Sequence, residues 1–232
     1  MNANRPNNST TYDEISEKYR QSESVSQRKN VIKGKFEQFL EIKKPHSLLD
    51  LGCGSGVFAI IAKQTGVEKV IGVDSSSAQI KIAKDRTESL NLEIEYLIQD
   101  ITFLEVGQKF DVISSIFGFC YASSRQILRK QLESAHIHLK MNGNIFAVVS
   151  HPQHPTRDWG ESYRVYAQNT LRDGLKLKCD FLIDGEVVAT DYKFYWTKQT
   201  WEKTLEDIGY NDISWEELDE HSTNIILKAK KT

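Results

Sequence analysis

Cysteine is scarce in this chain: among 232 residues only Cys53, Cys120 and Cys179 occur. An odd number at wide spacing excludes a disulfide framework and any compact pattern of metal-binding thiolates. The three are read as free thiols in a reducing cytoplasm. No apolar run approaches the length that spans a bilayer, and the polar stretch at residues 1–10 has no leader-like apolar core, so neither membrane insertion nor secretion is expected. An excess of positive charge is also missing. The net charge is -2, and the clear basic cluster is Lys228, Lys230 and Lys231 near the C-terminus. Without a polyanion footprint, a nucleic-acid partner is not expected. Internal repeats are absent, and so is low complexity beyond the first ten residues.

What the chain does contain is enough apolar sequence, 39%, to bury a core. Residues 1–10 read as a disordered tail and residues 11–232 as a single domain. Tyr12, Ile15 and Tyr19 share one face of a short helix, and a second helix is expected over 25–42, ending at Lys44-Pro45. Strands are then expected at 47–51, 69–73, 93–98, 110–116 and 144–150, with helices at 57–65, 77–90 and 124–139 between them. Such alternation is the mark of parallel βαβ units. Asn142-Gly143 reads as the tight turn before the fifth strand.

After Ser150 the rhythm breaks. Residues 151–196 form an insertion holding a β-hairpin around Asp184-Gly185, with strands at 175–182 and 186–196. A helix stopped by Gly209 and two last strands, 212–215 and 223–229, complete the chain. The fold class expected is therefore α/β: a doubly wound, Rossmann-like, mostly parallel seven-stranded sheet with helices on both faces, plus the inserted hairpin.

Three polar signals fall at the carboxyl ends of successive strands. A glycine turn (Gly52, Gly54, Gly56) follows the first, Asp74 closes the second and Asp100 follows the third. Glycines let a backbone approach a ligand closely. An acid after the second strand is placed to accept both hydroxyls of a ribose, and one after the third can accept from an adenine amino group. Each also has a local use, as a tight turn, a helix cap or a solvated loop acid. In this order they outline a nucleoside crevice. The turn departs from G-x-G-x-x-G by one residue, which disfavours a dinucleotide, and no Gly-Lys-Ser/Thr follows, which excludes a P-loop.

Leu48-Leu49-Asp50-Leu51-Gly52-Cys53-Gly54-Ser55-Gly56 resembles motif I of the class I S-adenosylmethionine-dependent methyltransferases. Val70-Ile71-Gly72-Val73-Asp74 is similar to their second motif and Gln99-Asp100 to their third, and the likeness extends over residues 12–150. It implies S-adenosylmethionine as cofactor and S-adenosylhomocysteine as product. It also implies that Gly52, Cys53, Gly54 and Gly56 lie under the methionine and ribose, and that Asp50 supports the turn and the amino-acid moiety. By the same likeness Asp74, followed by Ser75, binds the ribose, while Asp100 and the Ile101 backbone read the adenine. Ser115 and Phe117 approach the transferred methyl. Tyr12 and Tyr19 resemble a lid formed by residues 11–44. The Asn-Pro-Pro-Tyr of enzymes acting on exocyclic amines or glutamine amides is absent after the fourth strand, which weakens a DNA-base or release-factor substrate. Gln79 stands where many relatives have an apolar residue.

The acceptor is expected at the same edge. His151 and His154 are the candidate general bases, needed only for a hydroxyl or a protonated amine. Phe119, Tyr121, Trp159, Tyr163 and Tyr166, with Arg157 or Arg164 meeting an anion, are the candidate substrate-cover residues. The aromatic segment serves equally well to anchor the hairpin or to form a homodimer contact. No metal is expected. The leading reading is methyl transfer to an O or N atom of a small-molecule metabolite in the cytoplasm. Methylation of tRNA or protein, and a non-catalytic cofactor-binding module, are the alternatives. A nicotinamide-dependent oxidoreductase comes last.

Overall fold

The computed structural model describes residues 27–155, 163–166, 170–219 and 222–232. Helix α1 (Gln27–Lys43) buries Ile32, Phe36, Phe39 and Leu40. The Phe36 ring stands 5.6 Å from that of Phe58 and 5.1 Å from that of Phe146, so α1 is pinned on the helical layer and the sheet together. Lys44, with φ 46°, then ends the helix before Pro45.

The next elements are β1 (Ser47–Leu51), α2 (Val57–Gln64), β2 (Lys69–Asp74), α3 (Ser77–Ser89), β3 (Glu95–Ile98) and β4 (Phe110–Ile116). A 3-10 turn (Gly118–Tyr121), α4 (Arg125–His138) and β5 (Leu139–Ser150) complete the alternating part. There follow β6 (Tyr163–Val165), β7 (Leu175–Ile183), β8 (Glu186–Tyr195), α5 (Lys198–Ile208), β9 (Tyr210–Glu217) and β10 (Asn224–Lys231).

Seven strands form one sheet in the order β3-β2-β1-β4-β5-β10-β9. The first five are parallel, while β10 runs antiparallel to both of its neighbours. The chain steps outward through β2 and β3 on one side of β1 and through β4 and β5 on the other. The switch point therefore lies between β1 and β4, where doubly wound sheets open a crevice at their carboxyl ends. All five residues of β1 are buried, as a central strand covered on both faces requires.

Two expectations are corrected. Asn142-Gly143 does not precede the fifth strand, because β5 starts at Leu139 and runs through it. The pairing jumps from Phe110↔Leu139 to Val112↔Asn144, so the turn residues form a bulge, with Asn142 at φ 63°. Lys140 holds the strand in place there by donating to both carboxylate oxygens of Asp111, at 2.9 and 3.0 Å. The inserted hairpin is also larger than expected. Asp184 (φ 52°) and Gly185 (φ 80°) form a two-residue turn of the I′ kind, and β6 adds a third strand to β7 and β8.

Candidate functional site

The backbone after β1 passes through Gly52, Gly54 and Gly56 at φ 68°, 52° and 79°, all left-handed. Gly52 and Cys53 both donate their N–H to the Val73 carbonyl, at 2.8 and 3.0 Å, so the turn hangs on the end of β2. Gly54 N–H donates to Asp74 Oδ2 at 2.8 Å and Ser76 N–H to Asp74 Oδ1 at 2.9 Å. Each carboxylate oxygen thus accepts a backbone proton, and an ionised carboxylate has about four lone-pair sites in all.

Close packing surrounds the turn. A Cβ on Gly56 would stand 2.5 Å from Tyr96 Oη, and one on Gly72 would stand 2.7 Å from the Tyr96 ring. Tyr96, on β3, is buried, bonds Thr87 Oγ1 at 3.0 Å and has its hydroxyl proton held more tightly by burial. Sequence reading passed over Tyr96. A glycine in mid-strand, Gly72, was the signal that a neighbour needed its space.

Asp50 is buried at the end of β1, where it accepts from Ser114 Oγ at 2.7 Å. Burial pushes its carboxyl up to about 7, against the pull of the Ser114 hydroxyl. Cys53 is buried and its thiol is held protonated, first by burial and then by the nearby Asp74 and Asp50. Ser115 Oγ donates to the Leu51 carbonyl at 3.0 Å, clamping the ends of β4 and β1 together. Phe117 follows in left-handed backbone, φ 69°, an unfavourable state for a residue with a large side chain. The strain brings Gly118 against Gly52.

Asp100 is exposed and forms a local turn, its Oδ1 accepting from Thr102 N at 2.8 Å and Thr102 Oγ1 at 2.7 Å. Ile101 beside it is half-buried, while Ser75 is exposed next to Asp74.

The acceptor candidates separate. His151 is buried and uses both ring nitrogens within the fold. Nδ1 accepts from the N–H groups of Gln153 and His154, at 3.0 and 3.1 Å, which assigns the proton to Nε2. Nε2 then donates to Glu217, 3.0 Å from Oε1. His154 is exposed, its ring 5.1 Å from that of His151. Phe119 faces the core rather than an acceptor, fully buried with its ring 6.5 Å from Trp201. Tyr166 donates to Asp180 within the three-stranded sheet, under the Lys178 ammonium, so its hydroxyl serves the hairpin's own network. Arg164 pairs in register with Asp180. Tyr12, Tyr19, Arg157 and Trp159, expected at the site, lie outside the described residues, as does the side chain of Tyr163.

Tyr121 does face the inserted sheet. Its hydroxyl donates to Asp191 Oδ2 at 2.5 Å, and Lys193 Nζ sits 4.3 Å from the centre of the Phe117 ring. Asp191 and Lys193 are 5% and 3% exposed, on the face of β8 that also carries the buried Ala189 and Tyr195. Neither was singled out from sequence, although charges at alternate positions on the apolar side of a strand were visible in Asp191-Tyr192-Lys193. Among the described residues no group of three or more His, Cys, Asp or Glu side chains is placed to hold a metal, and no helix is long and apolar enough to cross a membrane.

Residues 48–143 match the family model described as a methyltransferase domain. The match runs from β1 to the β5 bulge and so takes in the glycine turn, Asp74, Asp100 and Phe117. A ribosomal protein L11 methyltransferase of Thermosipho africanus is 41% identical over 68 residues, which are 29% of this chain and 26% of that protein. The chain thus spans about a quarter of that relative's length. Among solved structures, an S-adenosylmethionine-dependent methyltransferase from Clostridium acetobutylicum superposes with a TM-score of 0.69 at 18% identity, over 95% of this chain and 98% of its own. An amino pentose methyltransferase from Micromonospora echinaspora, solved with S-adenosylmethionine bound, gives 0.64 at 14% identity over 100% and 99%. At such identities these two likenesses speak for the fold.

Proposed function

We propose that this chain, whose residues 48–143 match a methyltransferase domain, is a class I S-adenosylmethionine-dependent methyltransferase that methylates an O or N atom of a small molecule. The residues at the crevice suit that cofactor. The turn has no Cβ at three positions, and the Asp74 carboxylate is fixed at its edge by the N–H groups of Gly54 and Ser76. In this reading Gly52, Cys53, Gly54 and Gly56 form the floor, Asp74 and Ser75 hold the ribose, and Asp100 with Ile101 meets the adenine. Asp50 steadies the turn below the amino-acid end. Bound S-adenosylmethionine supplies an electrophilic methyl on a sulfonium, and in-line displacement at such a methyl needs alignment and water exclusion more than proton transfer.

The single observation that carries the small-molecule reading is the covered end of β4. The strained Phe117 lies under Lys193, and Tyr121 is tied to Asp191, so the inserted sheet closes over the place where the methyl would leave. An enclosed acceptor end suits a metabolite better than a folded protein or an RNA, and the net charge of -2 agrees. We assign the cover to residues 151–196, and to Asp191, Lys193 and Tyr121 the acceptor end. His151 serves here as an anchor for the cover, its ring nitrogens being engaged. Three buried free thiols support a reducing compartment such as the cytoplasm.

Methylation of a ribosomal protein is the second reading, favoured by the name of the Thermosipho relative. The test is methyl transfer from labelled S-adenosylmethionine to a panel of small amines, phenols and hydroxy acids, run beside purified ribosomal protein L11. Label in a small acceptor supports the first reading. Label in the protein with none in the panel overturns it in favour of the second.

A further inference from the structure

Helix α3 opens with Ser76-Ser77-Ala78-Gln79, the Ser-x-x-Gln pattern of a capping box. Half of the box is made: Ser76 Oγ accepts from Gln79 N–H at 3.1 Å. In the reciprocal half the glutamine amide oxygen would accept from Ser76 N–H, but that proton goes to Asp74 Oδ1 at 2.9 Å. Gln79 is left 1% exposed, and neither Oε1 nor Nε2 has a hydrogen-bond partner among the described residues. Its Oε1 lies 3.8 Å from where a Cβ on Gly54 would stand, beside the residue whose N–H donates to Asp74 Oδ2.

A buried amide with no partner destabilises a fold, and an apolar side chain of similar shape would remove that penalty. Asp74 accepts but cannot donate, whereas a ribose hydroxyl that donates to it has an oxygen left to receive a proton. An amide can give that proton. Turning Gln79 about its three flexible bonds towards the crevice breaks no existing hydrogen bond.

We propose that Gln79 is a specificity residue for the nucleoside, its amide completing with Asp74 a donor-and-acceptor pair that reads the ribose diol. The proposal rests on the cofactor reading above. Asp74 takes the protons of the diol and Gln79 Nε2 donates to one of its oxygens, so a nucleoside lacking that hydroxyl loses two partners. A methionine or leucine at this position would leave the acid to act alone.

The experiment compares wild type with Gln79→Met and Gln79→Leu by thermal melting without ligand and by calorimetry with S-adenosylhomocysteine and its 2′-deoxy and 3′-deoxy forms. Both variants are expected to melt at or above the wild-type temperature and to bind S-adenosylhomocysteine about 10-fold more weakly. Removing one of the two hydroxyls from the ligand should then weaken wild type by a clearly larger factor than it weakens the variants, which lose only the bond to Asp74. Equal affinity of wild type and variants overturns the role of Gln79 alone, as does an equal loss of affinity in all three proteins for both deoxy forms. A marked fall in melting temperature also overturns it, by assigning the amide to the fold. If wild type does not bind S-adenosylhomocysteine, the cofactor reading itself falls and the proposal with it.

Discussion

A Cβ on Gly52 would stand 2.9 Å from the Cα of Gly118, so the turns that follow β1 and β4 touch at two residues without side chains. This contact closes the floor of the crevice at the switch point of the sheet. It sets the distance between the glycine turn and the strained Phe117.

Gly118→Ala tests that contact. Its Cβ would meet Ser115 Oγ at 2.6 Å and the Leu51 carbonyl oxygen at 2.7 Å, in a place where neither β1 nor β4 can retreat. Overpacking of this kind destabilises by about 1 to 3 kcal/mol. Thermal melting should show that loss, and calorimetry should show weaker S-adenosylmethionine binding even well below the melting temperature.

Asp74→Asn separates the ribose role from the turn role. The amide keeps one oxygen for Gly54 or Ser76 but loses the charge and the second acceptor. Affinity for S-adenosylmethionine should fall about 10-fold or more, since hydrogen bonds to a charged group are the stronger kind. Calorimetry at fixed salt reads the change, and an unchanged dissociation constant would remove Asp74 from the site.

Asp50 makes stability depend on pH. Burial raises its carboxyl to about 7, with Asp74 adding to the rise, while the Ser114 hydroxyl and the Ala59 N–H oppose it. The folded chain then keeps a proton that the unfolded chain releases near pH 4. This group's stabilising share is complete below about pH 4 and is lost as pH climbs to about 7. Denaturant melts of Asp50→Asn across that range should differ from wild type by a gap that grows with pH and levels off above 7; a gap independent of pH would contradict the assignment.

His151→Ala distinguishes an anchor from a base. The ring's three hydrogen-bonding groups, the N–H of Gln153, the N–H of His154 and the Glu217 carboxylate, would all lose their partner. Stability should drop by about 1 to 3 kcal/mol, with S-adenosylmethionine affinity within about twofold of wild type because none of these groups lies at the glycine turn. Parallel melts and calorimetry decide the matter.

The glycine turn and the acid after β2 were legible in the chain because their signals are local. Gly52 and Gly54 announce backbone conformations that other residues resist, and Asp74 follows a strand whose apolar run is plain. The Asp184-Gly185 turn was legible for the same reason. Asn142-Gly143 was misread because a turn dipeptide has two uses. Here the pairing of β5 with β4 continues on either side of it and turns the pair into a bulge. Gln79 stood out by its type, but its missing partner depends on Asp74 having already taken the Ser76 proton.

The order of apolar runs, glycines and strand-end acids by itself determined the α/β alternation and the left-handed turn at the carboxyl end of β1, since those depend on chain direction and backbone freedom. Only the tertiary structure decided what faces that crevice. It set Tyr96 beneath Gly56 and Gly72, turned Phe119 into the core and spent both His151 nitrogens on the fold. It also brought Asp191 and Lys193, more than 70 residues from Phe117 in the chain, to the end of β4. A hydrogen bond or a buried charge belongs to a pair of residues, and which pairs meet is settled when the layers pack.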